Sequence, residues 1–270
     1  MRLGGPILQK PSSPEAWVQA LQQRGYRAAY CPLSVPDATM SADYARAAAD
    51  ADIVIAEVGA WSNSISPDES TRRAAIALNQ DRLALADEIG ARCCVDYAGS
   101  RHPTDMAPHP SNLTDDTFDL IVQTTREIID AVKPKRAFYT LEVMQWVFPD
   151  TVDNYLKLLQ AIDRPQFAAH LDPVNFITSP RLYYQNGALI RYAFRQLGPY
   201  IKSCHAKDLL FKREMGLHMY EVRPGLGELD YTTFLAELNK LDPDMPLMLE
   251  HLDSEEEYAT AAQFIRSAVV

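Results

Sequence analysis

A chain of 270 residues with 47% hydrophobic and 23% charged side chains has an ordinary globular composition and enough apolar residues for a sizeable core. Its formal charge of −10 argues against sequence-independent nucleic-acid binding, which needs a basic face to neutralise phosphates. No apolar stretch reaches the roughly 18 residues of a membrane span, and the opening segment Met1 to Pro6 lacks the apolar run of a signal peptide.

Eight short apolar runs read as strands. Four lie near Arg2 to Gly4, Tyr26 to Tyr30, Ile53 to Glu57 and Arg92 to Asp96. Four more lie near Ala137 to Leu141, Phe167 to Leu171, Ile201 to Cys204 and Leu247 to Glu250. Between them, apolar residues recur every three or four positions over Thr71 to Glu88, Asp115 to Val132, Val152 to Ile162 and Tyr258 to Val269, which predicts helices. Ser13-Pro14, Ser66-Pro67 and Ser179-Pro180 each place a capping hydroxyl before a proline at the first helical position. Ser66-Pro67-Asp68-Glu69 is also a capping-box pattern, and Asp253-Ser254-Glu255-Glu256 is a looser one.

Strands alternating with helices, without a compositional break, predict one (β/α)₈ barrel spanning residues 1–270 as a single catalytic domain. No GxGxxG follows the first strand, which weakens a dinucleotide-binding sheet. The longest irregular stretches, Gly99 to Leu113, Pro173 to Asn186 and Leu209 to Leu229, follow strand ends and are expected to wall a pocket. Cys31, Cys93, Cys94 and Cys204 lie in apolar runs without a CxxC and read as small buried hydrophobes in a reducing cytoplasm.

In the second half, four metal-type ligands each end an apolar run: Glu142, Asp172, His205 and Glu250. Each is about one strand–helix unit from the next, so parallel strands would bring them to one mouth. Most single carboxylates merely cap a helix or pair with a lysine. Four at matching positions of consecutive units point instead to a shared cation site. Three carboxylates and one imidazole suit a hard divalent ion, Mn²⁺ first, then Mg²⁺ or Co²⁺, over tetrahedral structural zinc.

Leu141-Glu142, Asp172-Pro173-Val174-Asn175, His205-Ala206-Lys207-Asp208, Arg223-Pro224-Gly225-Leu226-Gly227 and Leu249-Glu250 resemble the xylose-isomerase-like sugar isomerases and epimerases, which include ketose 3-epimerases. The resemblance implies a TIM barrel holding one divalent ion through Glu142, Asp172, His205 and Glu250, with Glu142 and Glu250 also moving the proton. A metal on the carbonyl and hydroxyl of a keto sugar would stabilise the enediolate formed on deprotonation. Glutamates on different sides of the substrate could then invert a centre.

Further residues are expected on the substrate side. Arg223 lies beside a tight Pro-Gly-x-Gly turn; a surface salt bridge is its plainer reading. Lys207 shares strand parity with His205 and could contact substrate or neutralise a ligand carboxylate. His170 shares parity with Asp172, as a hydrogen-bonding support or as core packing. Trp61, reached from Glu57 at the end of the third strand, could be a sugar platform, and His102 could reach the sugar from its loop.

Two departures from the resemblance matter. Ketose epimerases of this kind usually carry histidine where this chain has Asn175, which can still hydrogen-bond a substrate hydroxyl but cannot act as an acid. The run through Asn175 and Ser179-Pro180-Arg181 looks closer to related barrels that act on 3-keto-glycosides. The endonuclease IV branch adds metal-binding histidines after the third and fourth strands, which here end in Glu57 and in Asp96-Tyr97. The expected function is therefore a metal-dependent sugar or keto-sugar epimerase or isomerase. A 3-keto-glycoside lyase or dehydratase with the same site comes second. An apurinic-site endonuclease-like phosphodiesterase and a non-catalytic sugar-binding barrel are remote. The expected partner is a small sugar or keto-glycoside, with no nucleic acid and no membrane. A homo-oligomer is compatible with the sequence, which does not encode the assembly state.

Overall fold

The computed structural model describes residues 1–104 and 106–268. Its elements run β1 (Arg2–Gly4), α1 (Pro14–Gln23), β2 (Ala28–Tyr30), α2 (Ala38–Asp50), β3 (Val54–Gly59), α3 (Glu69–Ile89) and β4 (Cys93–Asp96). There follow α4 (Asp115–Val132), β5 (Phe138–Glu142), α5 (Val152–Ile162), β6 (Phe167–Leu171), α6 (Pro180–Tyr184), α7 (Asn186–Leu197) and β7 (Ile201–Ala206). The chain ends with β8 (Asp208–Phe211), β9 (Met219–Val222), α8 (Tyr231–Leu238), β10 (Pro246–Leu249) and α9 (Glu255–Ala268).

Eight strands close a parallel barrel in the order β1-β10-β7-β6-β5-β4-β3-β2, and the outer helices complete a single (β/α)₈ barrel. Strands such as β4, β6 and β10 are buried at every position because one face meets the barrel interior and the other meets helices. The main core lies between those layers, where Leu83, Leu85 and Ile89 of α3, Ile128 of α4 and Leu158 of α5 are almost wholly buried. Each such side chain contributes about 1.5–3 kcal/mol of transfer free energy.

Inside the barrel, Ala28, Ala56 and Met248 form a separate small cluster. Gly4 belongs to that interior by necessity, since a Cβ there would stand 2.4 Å from the Ala28 carbonyl oxygen and 2.7 Å from Met248 Sδ. A side chain would push β1 off its neighbour and open the barrel seam.

Several local expectations shift. Asp68, not Ser66, caps α3: its Oδ1 accepts from the Thr71 amide at 2.8 Å, while Ser66 Oγ accepts from the Asp68 amide at 3.2 Å. A carboxylate at that end also faces the positive pole of a long helix. Ser13 and Ser179 cap as expected, accepting from the Ala16 and Leu182 amides at 3.2 and 3.3 Å. The last helix starts early, at Glu255, with Ser254 Oγ accepting from the Glu257 amide, and the expected end at Val269 lies outside the described residues. The stretch Leu209 to Leu229 is not irregular: β8 and β9 form an antiparallel hairpin. All four cysteines are free thiols, three of them buried. Among the described residues no helix is long and apolar enough to cross a membrane.

Candidate functional site

Glu142 is the last residue of β5, Asp172 follows β6, His205 is the penultimate residue of β7, and Glu250 follows β10. All four therefore sit at the carboxyl ends of the barrel strands, the face on which this architecture builds its sites. Each offers one ligand atom, and these atoms all lie within 4.8 Å of one another. His205 Nδ1 is 3.0 Å from Glu142 Oε1 and 2.9 Å from Glu250 Oε1.

Lys207 joins this cluster, its Nζ lying 2.9 Å from Asp172 Oδ2, 2.6 Å from Glu250 Oε1 and 3.8 Å from Glu142 Oε1. These are close charge contacts, yet Asp172 Oδ2 and Glu250 Oε1 are buried without an aligned hydrogen bond. Buried carboxylate oxygens that face only cationic groups, set beside an imidazole nitrogen, form the donor set of a hard cation, so the residues present fit a divalent ion.

Beneath these four residues lies a second polar layer. Glu57 is almost wholly buried; its Oε1 is 3.0 Å from His205 Nε2 and its Oε2 is 2.8 Å from His170 Nε2. An ionised carboxylate only accepts, so both Nε2 atoms carry protons, and Glu57 fixes the His205 ring with Nδ1 toward the ligand cluster. The sequence places Glu57 and His170 on the substrate side of the site, His170 as a hydrogen-bonding support or as core packing. The structure buries both, with Glu57 bridging His170 and His205.

Burial pushes the Glu57 carboxyl up, but His205 and His170 outweigh it and hold it at about 2. Burial likewise opposes ionisation of Glu142 and Glu250, and the neighbouring His205 and Lys207 bring both below the ordinary value. Asp172 goes the other way, to about 6, because burial and the two neighbouring glutamates exceed the help from Lys207. For His205 and Lys207, burial is outweighed by the surrounding carboxylates, which raise both.

A cavity of about 560 Å³ opens above the cluster, a size suited to a small organic ligand. Glu142, Glu250, Lys207, Asn175 and Trp61 line it, joined by Tyr97, Glu221 and His251. Asn175 Nδ2 donates to Glu142 Oε1 at 3.2 Å and Asn175 Oδ1 accepts from Gln145 at 3.3 Å, so the residue orients Glu142. Trp61 stacks on Tyr97 at 6.0 Å, and Tyr97 meets Trp146 edge-on at 6.2 Å, which gives one side an aromatic wall. Tyr97 reaches this wall while its neighbour Asp96 points outward to Asn79 of α3 at 2.9 Å, as strand alternation requires.

Two candidates lie elsewhere. Arg223 Nε is 2.8 Å from Glu257 Oε2 on α9, in close charge contact although not aligned as a hydrogen bond, and Arg223 is not among the residues lining the cavity. The turn beside it is held by Asp208, which accepts from the amides of Leu209, Gly225, Gly227 and Leu229 at 2.9–3.1 Å. A Cβ at Gly227 would stand 2.3 Å from Asp208 Oδ1, so the turn admits only glycine there. That turn aims the guanidinium at the first turn of α9, whose Glu257 supplies the charge partner. His102 stands edge-on to His109 at 5.9 Å, and none of the described residues between Gly99 and Leu113 lines the cavity.

Tyr97, Glu221 and His251 went unnoticed as site residues. The Glu250-His251 dipeptide at a strand end was a usable signal. Glu221 gave none, since its place depends on a hairpin that was not foreseen.

No curated protein sequence matches this chain. Among solved structures it is similar to D-psicose 3-epimerase from Clostridium cellulolyticum H10, crystallised with D-tagatose, at 15% identity and a TM-score of 0.69, covering 100% of this chain and 98% of that one. It is similar to a 3-keto-D-glucoside 4-epimerase from E. coli at 12% identity and a TM-score of 0.69, covering 99% of both chains. A xylose isomerase-like TIM barrel protein from Mycobacterium smegmatis in complex with magnesium matches at 15% identity and a TM-score of 0.65, covering 97% of this chain and 92% of that one. At such identities these likenesses establish the shared fold. The family model described as xylose isomerase-like TIM barrel matches residues 17–268, and the chain belongs to that family.

Proposed function

We propose that the protein is a divalent-metal-dependent epimerase or isomerase of a sugar or keto-sugar, with the whole chain acting as one catalytic domain. The observation that carries this is the convergence of Glu142, Asp172, His205 and Glu250 within 4.8 Å at the floor of a ligand-sized cavity. These four residues would hold Mn²⁺, Mg²⁺ or Co²⁺. When bound, the ion supplies Lewis-acid stabilisation of the charge that develops on a substrate carbonyl oxygen.

The chain's own residues do the rest. Glu142 and Glu250, both held ionised, are the candidate bases. One takes the proton from the carbon beside the substrate carbonyl; the C–H pair becomes a carbon–carbon double bond and the carbonyl π pair moves onto oxygen. The other glutamate, which first takes a proton from solvent, passes it to carbon as the carbonyl re-forms, and the first glutamate releases its proton to solvent to reset the pair. Delivery to the opposite face inverts the centre; delivery to the neighbouring carbon shifts the carbonyl. Asn175 fixes Glu142, Lys207 balances the carboxylates, and Trp61 with Tyr97 offers an apolar face to a sugar ring.

Relatives in fold that act on D-psicose and on a 3-keto-D-glucoside support both free and glycosidic keto-sugars as substrates. The test is deuterium wash-in from D₂O across D-fructose, D-psicose, methyl 3-keto-β-D-glucoside and their phosphates, with Mn²⁺ present. Metal-dependent exchange at one carbon supports the reading. Release of methanol from the glucoside favours the lyase chemistry. Absence of exchange across the panel removes it.

A further inference from the structure

His251 directly follows Glu250, and its φ of 57° lies in the left-handed region that L side chains seldom occupy. Among the described residues three other non-glycine positions share that conformation: Asp52, Lys133 and Asp163. Lys133 and Asp163 cap the ends of α4 and α5, and Asp52 follows the end of α2. Left-handed residues are common at such helix ends. His251 instead ends a barrel strand, and strain of this kind, kept away from a helix terminus, concentrates at ligand sites.

The turn sets the imidazole at the cavity mouth. Its Nδ1 is 3.0 Å from Glu221 Oε1, and its Nε2 is 3.6 Å from Glu250 Oε2. The other Glu221 oxygen is 3.6 Å from Lys207 Nζ, so Glu221 ties the β8–β9 hairpin to both sides of the site. The His251 side chain is 61% exposed, so its burial repays little of the backbone strain. A ring held at one nitrogen, with the other over a reactive carboxylate, is placed to meet a ligand.

We propose that His251, steered by Glu221, contacts the substrate and determines specificity: Nε2 binds a hydroxyl of a polyol substrate beside the carbon that Glu250 faces. This rests on the keto-sugar reading of the same cavity.

The test uses the full-length protein and three variants: His251→Gly, His251→Asn and Glu221→Ala. Melting temperature, Mn²⁺ affinity by calorimetry, and binding of D-psicose and methyl 3-keto-β-D-glucoside by tryptophan fluorescence are measured, with KM and kcat for whichever probe exchanges. Glycine accepts a positive φ without a Cβ clash, so His251→Gly should melt at or above the parent temperature and keep its Mn²⁺ affinity. Its affinity for the probe should fall about tenfold, the loss expected for one well-placed hydrogen bond. Asparagine tolerates the same turn and offers an amide, so His251→Asn should recover part of that loss. Glu221→Ala should weaken the probe in the same direction.

Unchanged probe binding in His251→Gly overturns the proposal. So does a parallel fall in melting temperature and Mn²⁺ affinity, which would mark a structural residue. A parent enzyme that binds the probe without exchanging its proton defeats the proton-transfer reading, and His251 is then decided on binding alone. A parent that binds neither probe overturns both.

Discussion

Glu57 Oε1 lies 3.0 Å from His205 Nε2, on the edge of the ring opposite the nitrogen that faces Glu142 and Glu250. One carboxylate on β3 thus fixes a proton on Nε2 of His205 on β7 and turns Nδ1 toward the carboxylate cluster. Glu57→Gln keeps the shape but can accept from only one of the two imidazoles and must turn its NH₂ toward the other. Mn²⁺ affinity by calorimetry should fall about 10–100-fold. Unchanged affinity would reduce the contact to packing.

Metal should also be visible in stability. At a free concentration of 100 Kd, a ligand binding only the folded state adds about 2.7 kcal/mol. Chelation should therefore lower the melting temperature and abolish proton exchange, and Mn²⁺, Mg²⁺ or Co²⁺ should restore both. Sustained exchange by demonstrably metal-free protein would defeat the mechanism.

Replacing Glu142 or Glu250 by Gln leaves one ligand oxygen but removes the charge and the basicity. Turnover should fall by about 10²-fold or more even at saturating metal, since no base remains on that face. One variant should still exchange the substrate proton with solvent while failing to complete inversion. Near-parental turnover in both variants, loaded with metal, would show that the two glutamates are not the bases.

Lys207 is buried among Asp172, Glu142 and Glu250. Lys207→Met leaves those carboxylates uncompensated, and removing one partner of a buried ionic cluster costs about 3–5 kcal/mol. The melting temperature should drop in the chelated protein, and added Mn²⁺ should raise it further than in the parent. A metal-induced rise no greater than the parental one would show that Lys207 does not share the carboxylates' charge.

Asp87 carries a pH dependence away from the site. Its Oδ1 accepts from the amides of Lys135, Arg136 and Ala137 at 2.8, 2.5 and 2.9 Å, tying α3 to the start of β5. Burial opposes ionisation, but these three donors outweigh it and hold the carboxyl below its ordinary 3.8. A depressed acid contributes fully above the unfolded value and loses its contribution as pH falls through the folded one. Asp87→Asn should therefore melt lower at neutral pH and flatten the decline that sets in as pH falls toward and below the ordinary 3.8. Parallel acid limbs in the two proteins would show that this carboxylate is not linked to folding.

The sequence by itself determined the barrel and the four residues that meet at its mouth. Both are written in one dimension: apolar runs alternate with helical periods, and ligand-type residues close the runs at Glu142, Asp172, His205 and Glu250. Even the caps at Ser13 and Ser179 follow from neighbours within a few positions. Tertiary structure decided what depends on partners far along the chain. Glu57 lies 113 residues from His170 and 148 from His205, so no local pattern shows that it supports a ligand instead of touching substrate. Arg223 turned to Glu257 because the Asp208-stapled turn aims it at α9. His251 gained its place from a left-handed backbone and a glutamate on a hairpin that the sequence pattern did not announce. Orientation of a side chain at a strand end is set by which charges the closed barrel brings within reach, and that is a property of the assembled ring.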